Sequence, residues 1–276
     1  MNKRKAQTYE LRQNILDIVM AGNGGHIGGD MSAIDILSVL YFDIMNISPE
    51  NRIDPDRDYF VLSKGHSVEA LYAVLAAKGF FPLEEVLEKF SRFGSPFIGH
   101  PNNKLPGIEM NSGSLGHGLP VSVGMALASK KDNRPSRVYT VMGDGELAEG
   151  SVWEAAMAAA NYRLDNLCAT VDRNGLQISG STEDVMQLEE LAAKFQAFGW
   201  NVIVVKDGND VEQLKVAYEQ AQATKGKPTM VIANTVKGSG SAVMENKAQW
   251  HHKVPTQEEY QQISEDFRER RESVLQ

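Results

Sequence analysis

At 276 residues with 42% hydrophobic side chains, the chain can bury a core of its own and sits near the size at which chains divide into domains. A formal net charge of −8 argues against the basic surface that general nucleic-acid binding needs. The single cysteine, Cys168, leaves no disulfide within the chain, and its place in an apolar run makes it a small core residue.

The N-terminus, MNKRKAQTYELRQ, is charged and lacks a signal peptide's apolar centre, and no apolar run is long enough for a membrane helix. The expectation is a soluble cytoplasmic protein. Leu11, Ile15, Ile18 and Val19 recur at helical spacing, which predicts an amphipathic helix over 5–21. The run from Gly22 to Gly29, GNGGHIGG, is too rich in glycine to be helical, and Ser32 is placed to cap the helix that follows through Ile34, Leu37 and Leu40. Tyr59–Leu62 reads as a buried strand emptying into Ser63-Lys64-Gly65-His66, with a helix over 68–77 behind it. Residues 79–112 hold a short helix near Leu83–Phe90 and a long irregular section containing Gly99-His100-Pro101. A loop of that length in a compact domain points to function or mobility. Gly113-Ser114-Leu115-Gly116-His117-Gly118 then leads into a helix with Pro120 in its first turn, running to about Lys130.

The centre of the chain is a strand–helix–strand unit. Val138–Met142 is a short apolar run stopped at Gly143, and Gly143-Asp144-Gly145 is a tight turn. Leu147 to Tyr162 is rich in Ala, Glu, Met and Leu and free of proline, a helix. Leu167–Val171 is the second strand, closed by Asp172-Arg173-Asn174-Gly175. The two strands should be parallel with a right-handed crossover. Beyond them come a helix over 188–198, a strand over 201–205, a helix over 211–224 capped by Asn209-Asp210, and a strand over 229–235 leading to Lys237-Gly238-Ser239-Gly240. From Thr256 the tail is polar, a surface helix. No repeat or linker interrupts the alternation. One α/β domain over 1–276 is expected, a mostly parallel sheet with helices on both faces.

In a parallel pair both strands end on one edge, where open α/β sheets bind ligands. Asp144 follows the first strand of the unit and Asn174 the second, about thirty residues on. A carboxylate, an amide oxygen and nearby turn carbonyls form an all-oxygen site suited to a hard cation such as Mg²⁺, which shares its ligands with water and phosphates. The turn glycines should let N–H groups approach an anion, with the next helix's N-terminus behind them. His26, His66, His100 and His117 each adjoin a glycine, and His251-His252 follows Trp250. Taken singly each is a solvated loop histidine. Zinc is disfavoured by the long spacings and the lack of a cysteine pair. Together they read as loops gathered at one sheet edge.

Gly-Asp-Gly, a small-residue helix and a later Asn resemble the thiamine diphosphate signature of the transketolase and 2-oxo acid decarboxylase superfamily. The resemblance widens with Gly25-His26, Lys64-Gly65-His66, Gly99-His100-Pro101, Gly113-Ser114-Leu115-Gly116 and Trp250-His251, in the order of the N-terminal third of transketolase, over about residues 10 to 255. It implies the thiamine diphosphate-binding fold, with Mg²⁺ (or Ca²⁺ or Mn²⁺ in its place) held by the side chains of Asp144 and Asn174 and the carbonyl of Leu176. It implies cofactor contacts from His66, Gly113, Leu115, Gly143, Asp144, Gly145, Glu149, Asn174, Lys237 and His251. Lys237 fits a solvated lysine equally well. As catalytic residues the resemblance gives His66 and His251 near the reacting carbon and His26 and His100 along the sugar channel. Glu149 and Glu154 would lie at a face shared with a partner. The chain departs from the family at Gly-Gly-His-Ile-Gly-Gly, where many members have Ser-Gly-His-Pro-Gly. It departs again at His117, where Gln is common, and at Gly175, where Lys or Arg is frequent; none removes a metal ligand.

Full-length transketolases add a pyrimidine-binding and a C-terminal domain, and both are expected here on a separate chain. The implied activity is that of the N-terminal subunit of a two-chain, α2β2 transketolase, moving a two-carbon ketol unit from a ketose phosphate to an aldose phosphate. Alternatives are a component of a 2-oxo acid dehydrogenase-type thiamine enzyme and a non-catalytic cofactor-binding subunit. The histidine set favours sugars over 2-oxo acids.

Overall fold

The structure, a computed structural model, describes residues 2–276. Helix α1 (Asn2–Gly22) and helix α2 (Ile27–Val39) come first, then strand β1 (Tyr59–Leu62) and helices α3 (Val68–Lys78), α4 (Leu83–Lys89) and α5 (Gly118–Lys131). The central unit is β2 (Val138–Gly143), α6 (Gly150–Asn161) and β3 (Leu167–Arg173). A small hairpin, β4 (Leu176–Gln177) with β5 (Gly180–Ser181), leads through α7 (Thr182–Val185) and α8 (Leu191–Ala197) to β6 (Asn201–Val205). Helix α9 (Val211–Ala223), strand β7 (Thr229–Asn234) and helix α10 (Gln257–Leu275) complete the order.

Five strands form one wholly parallel sheet in the order β1-β2-β3-β7-β6. The apolar residues of each strand divide by the two-residue period of a pleat between two cores. Tyr139, Val141, Cys168, Val231 and Ala233 pack with α1, α2, α3 and α9 on one face. Val138, Met142, Ala169, Val171, Met230 and Ile232 pack with α5, α6 and α8 on the other. The steps β2→β3 and β6→β7 run in opposite directions along the sheet. Crossovers of one hand therefore place α6 and α9 on opposite faces, as the two cores require. Both sheet faces are buried, which is why the strands read as continuous apolar runs.

Three local expectations need correction. Gly28 and Gly29 lie inside α2, which starts at Ile27 with His26 as its N-cap residue. These glycines serve close approach: a Cβ on Gly28 would meet the Trp250 carbonyl oxygen at 2.5 Å, and one on Gly29 would meet Ser67 Oγ at 2.8 Å. Ser32 is therefore within the helix and not its cap. Strand β3 continues through Asp172 and Arg173, which pair with Gly143, Ala233 and Asn234; a charged residue is tolerated there because Lys64 neutralises it. The helix expected from Leu147 begins only at Gly150, after a 3₁₀ turn over Gly145–Ala148. At the C-terminus Thr256 and Glu259 close a reciprocal capping box, which starts the charged α10 where the sequence places it.

Candidate active site

The carboxyl ends of β1, β2, β3 and β7 deliver His66, Asp144, Asn174 and Lys237 to one cavity of about 350 Å³. His26, His251, Gly113 and Leu115 also line it. Asp144 is 2% exposed. One of its carboxylate oxygens accepts the Gly145 N–H at 2.9 Å and the other accepts the Gly175 N–H at 2.6 Å. The second bond ties the turn after β2 to the turn after β3. Asn174 Oδ1 accepts the Leu176 N–H at 3.1 Å, and its Nδ2 donates to Ser32 Oγ at 3.2 Å. The Lys237 ammonium donates to the Leu176 carbonyl at 3.2 Å, so a cation already stands against one of the implied metal oxygens.

The turn glycines act differently from expectation. The Gly143 N–H goes to Glu146 Oε2 and the Gly145 N–H to Asp144, so acids of the same turn occupy both donors. With α6 starting at Gly150, no long helix aims its N-terminus from this turn. Gly143 contributes space: a Cβ there would meet nothing within 4 Å, on the cavity wall. Positive charge comes from lysines. Burial, then Lys64, pushes Lys237 down to about 8. Lys64 is 1% exposed and its ammonium lies 2.6 Å from Asp172 Oδ2 and 2.9 Å from the Gly29 carbonyl. Asp172 also accepts from Ser32 Oγ, at 2.6 Å, and from Thr235. This network fixes the strand end from which Asn174 projects.

Four glycine-flanked or paired histidines converge, as expected. The His26 ring lies 5.1 Å from that of His66, 5.5 Å from His251 and 6.4 Å from His100. Burial, followed by Lys64 and His26, lowers His66 to about 2. Burial, followed by Lys237, lowers His251 to about 3, and burial followed by His252 lowers His26 to about 4. All three are neutral imidazoles near pH 7, each with one donor and one acceptor nitrogen. His251 Nδ1 is buried and unpartnered, as an atom meant for a ligand would be. His100 stands at the rim, and a Cβ on Gly113 would meet its Cδ2 at 2.5 Å. His117 is exposed and bonds only the nearby Leu115 carbonyl.

Glu149 and Glu154 are exposed and outside the cavity lining. The buried acid of that turn is Glu146, which accepts from Ser63, from Gly116 N–H at 2.8 Å and from Gly143 N–H at 3.2 Å. It joins three loops at the cavity wall. Sequence reasoning missed Glu146, Lys64, Asp172 and His252, whose ring is 4.7 Å from His26. Lys64 and Asp172 had a signal, since each ends a strand beside a motif residue. Glu146 and His252 had none beyond adjacency.

Among the described residues, no group of three or more His, Cys, Asp or Glu side chains is arranged to hold a metal ion. The donor set of one carboxylate, one amide and one carbonyl fits a hard cation, and the space at Gly143 with two lysines fits an attached diphosphate.

The parallel sheet, its switch in winding direction and the oxygen-rich turns at its carboxyl edge define an open α/β domain with a ligand crevice at its switch point. The chain belongs to the transketolase thiamine diphosphate-binding domain family, whose model matches residues 3–270. It is 47% identical over 268 residues to an apulose-4-phosphate transketolase subunit of Phocaeicola vulgatus, covering 97% of this chain and 95% of that one. It is 45% identical over 253 residues to the 6-deoxy-6-sulfo-D-fructose transketolase subunit SqwG of a Clostridium species, covering 91% of each. The solved transketolase of Campylobacter jejuni superposes with a TM-score of 0.89 at 32% identity over 96% of this chain, which spans 42% of that structure.

Proposed function

We propose that the chain is the subunit of a two-chain transketolase that holds the metal–diphosphate half of thiamine diphosphate. A second chain would supply the pyrimidine-binding half. The observation that carries this reading is the junction of the β2 and β3 turns, where Asp144, Asn174 and the Leu176 carbonyl face one cavity with Lys237 and the histidines. Two relatives matched over at least nine-tenths of their length bear the name transketolase subunit, which supports the division into two chains.

When bound, the cofactor supplies an electron sink for breaking the bond beside a ketose carbonyl. The residues of this chain do the rest. Asp144 and Asn174, by side chain, and Leu176, by carbonyl, would hold Mg²⁺, with Ca²⁺ or Mn²⁺ able to replace it. Lys237, which lines the same cavity, would supply positive charge to the diphosphate. Gly113 and Leu115 pack against the cofactor rings. His66 and His251, neutral and deep, give and take protons at the reacting hydroxyl, while His26 and His100 align the sugar chain. Glu149 and Glu154 meet the partner in an α2β2 assembly. The substrates are a ketose phosphate and an aldose phosphate.

The test is reconstitution. This chain mixed with its C-terminal subunit, thiamine diphosphate and Mg²⁺ should transfer ketol units from one or more of a panel of ketose phosphates, and neither chain alone should. His66→Ala should lower kcat by roughly 10²–10⁴-fold, the span of general acid–base contributions. Full turnover by this chain alone would overturn the two-chain reading.

A further inference from the structure

Behind the histidines lies a pair of acids that the cavity chemistry does not use. Asp30 sits on the first turn of α2, four residues after His26, and Glu69 on the first turn of α3, three after His66. Both are buried, at 0% and 1% exposure. Asp30 Oδ1 accepts the Ala70 N–H at 3.0 Å. Asp30 Oδ2 and both Glu69 oxygens have no donor. Ala70 directly follows Glu69, so its bond to Asp30 brings both buried carboxyl-bearing residues to the same junction of α2 and α3. Glu69 also fills the space beside Gly25, where a Cβ would meet Oε1 at 2.7 Å.

Two ionised carboxylates are acceptors only and cannot bond each other; one proton between them turns repulsion into a charge-assisted bond. We propose that Asp30 and Glu69 share one buried proton and that this bond lashes α2 to α3, setting the spacing of His26 and His66 across the cavity. Both are positioning residues. Burial supports a retained proton, pushing Asp30 up to about 7 and Glu69, which also feels Asp30, well above its ordinary range. The charged and titratable groups acting on the pair are Lys64 after β1, Lys237 after β7 and Tyr72 on α3. Neither lysine donates to the three open oxygens. The proton-sharing part stands on its own; the consequence for sugar alignment rests on the reading of His26 and His66 as channel residues.

The experiment uses the full chain without cofactor or partner, so its failure is separate from failure of the transketolase reading. Difference infrared spectra at neutral pH should show a protonated carboxylic-acid carbonyl band in the wild type that is lost in both Glu69→Gln and Asp30→Asn. Glu69→Gln retains a permanent donor for Asp30, so the ring-proton NMR shifts of His26 and His66 should stay in place. Glu69→Leu, without a donor, should displace both. Absence of a carbonyl band that responds to either conservative variant would overturn the shared proton. Unmoved His26 and His66 resonances in Glu69→Leu would overturn the positioning role. Should Glu69→Leu fail to fold, Asp30→Ser, which shortens one arm of the bridge, is read by the same shifts.

Discussion

Lys64 carries its charge almost without contact with water, and Asp172, 0% exposed, compensates it at 2.6 Å. Such a pair contributes little over an apolar replacement, but removing one partner strands the other. Lys64→Met should therefore cost about 3–5 kcal/mol in urea unfolding, the range for breaking a buried pair. The same ammonium is the leading charge, after burial, holding His66 neutral. The His66 pKa should accordingly rise in any folded Lys64 variant, read by its ring-proton titration. A value unchanged from wild type would mean that burial alone sets it. An anion at Lys237 should act in the same direction, raising the pKa of His251, whose largest charged neighbour is that lysine.

At the scale of elements, the glycine-rich stretch before α2 decides how near the loops come. Its helix packs against the Trp250 carbonyl and Ser67 through faces without side chains. Gly28→Ala should destabilise by about 1–3 kcal/mol, the usual overpacking cost, because the obstacle is backbone. Gly124→Ala, in the interior of α5 where a Cβ meets nothing within 4 Å, should stabilise by about 0.5–1 kcal/mol. Equal effects in thermal melts would contradict this packing. These positions also show what could be read from the chain. Strands β1, β2, β3 and β7 were legible because burial leaves nearly uninterrupted apolar runs, and the half-exposed edge strand β6 through its run of β-branched residues. The Asp144 and Asn174 turns were legible because strand ends of a parallel pair share an edge. Gly28 and Gly29 were misread because close packing and flexibility use the same residue. Asp30, Glu69 and Glu146 were invisible because their partners come from segments far along the chain, and no spacing encodes those contacts.

For the whole molecule, stability should carry two opposed responses to pH. His26 and His251 fall from 6.5 to about 4 and about 3 on folding. The unfolded chain then binds more protons below pH 6.5, so their contribution is complete above that pH and is lost as pH falls toward 4 and 3. Asp30 runs the other way: raised from 3.8 to about 7, it contributes below 3.8 and is lost as pH rises through 7. The melting temperature of His251→Asn should thus fall less steeply than wild type on acidification, while Glu69→Gln should lessen the decline from acid to neutral pH. Parallel curves for wild type and His251→Asn would show that the histidine is not buried in its neutral form.

The central claim is that two turns joined by one crossover helix grip a metal-bound diphosphate. Its most direct test is the melting temperature of the chain with its partner subunit, with and without thiamine diphosphate and Mg²⁺. Ligand at about a hundred times its Kd stabilises by roughly 2.7 kcal/mol, which for a chain of this size raises the melting temperature by several degrees. The account predicts that rise in the wild type and none in Asp144→Ala; an equal rise in both would remove Asp144, and with it the proposed grip, from the site.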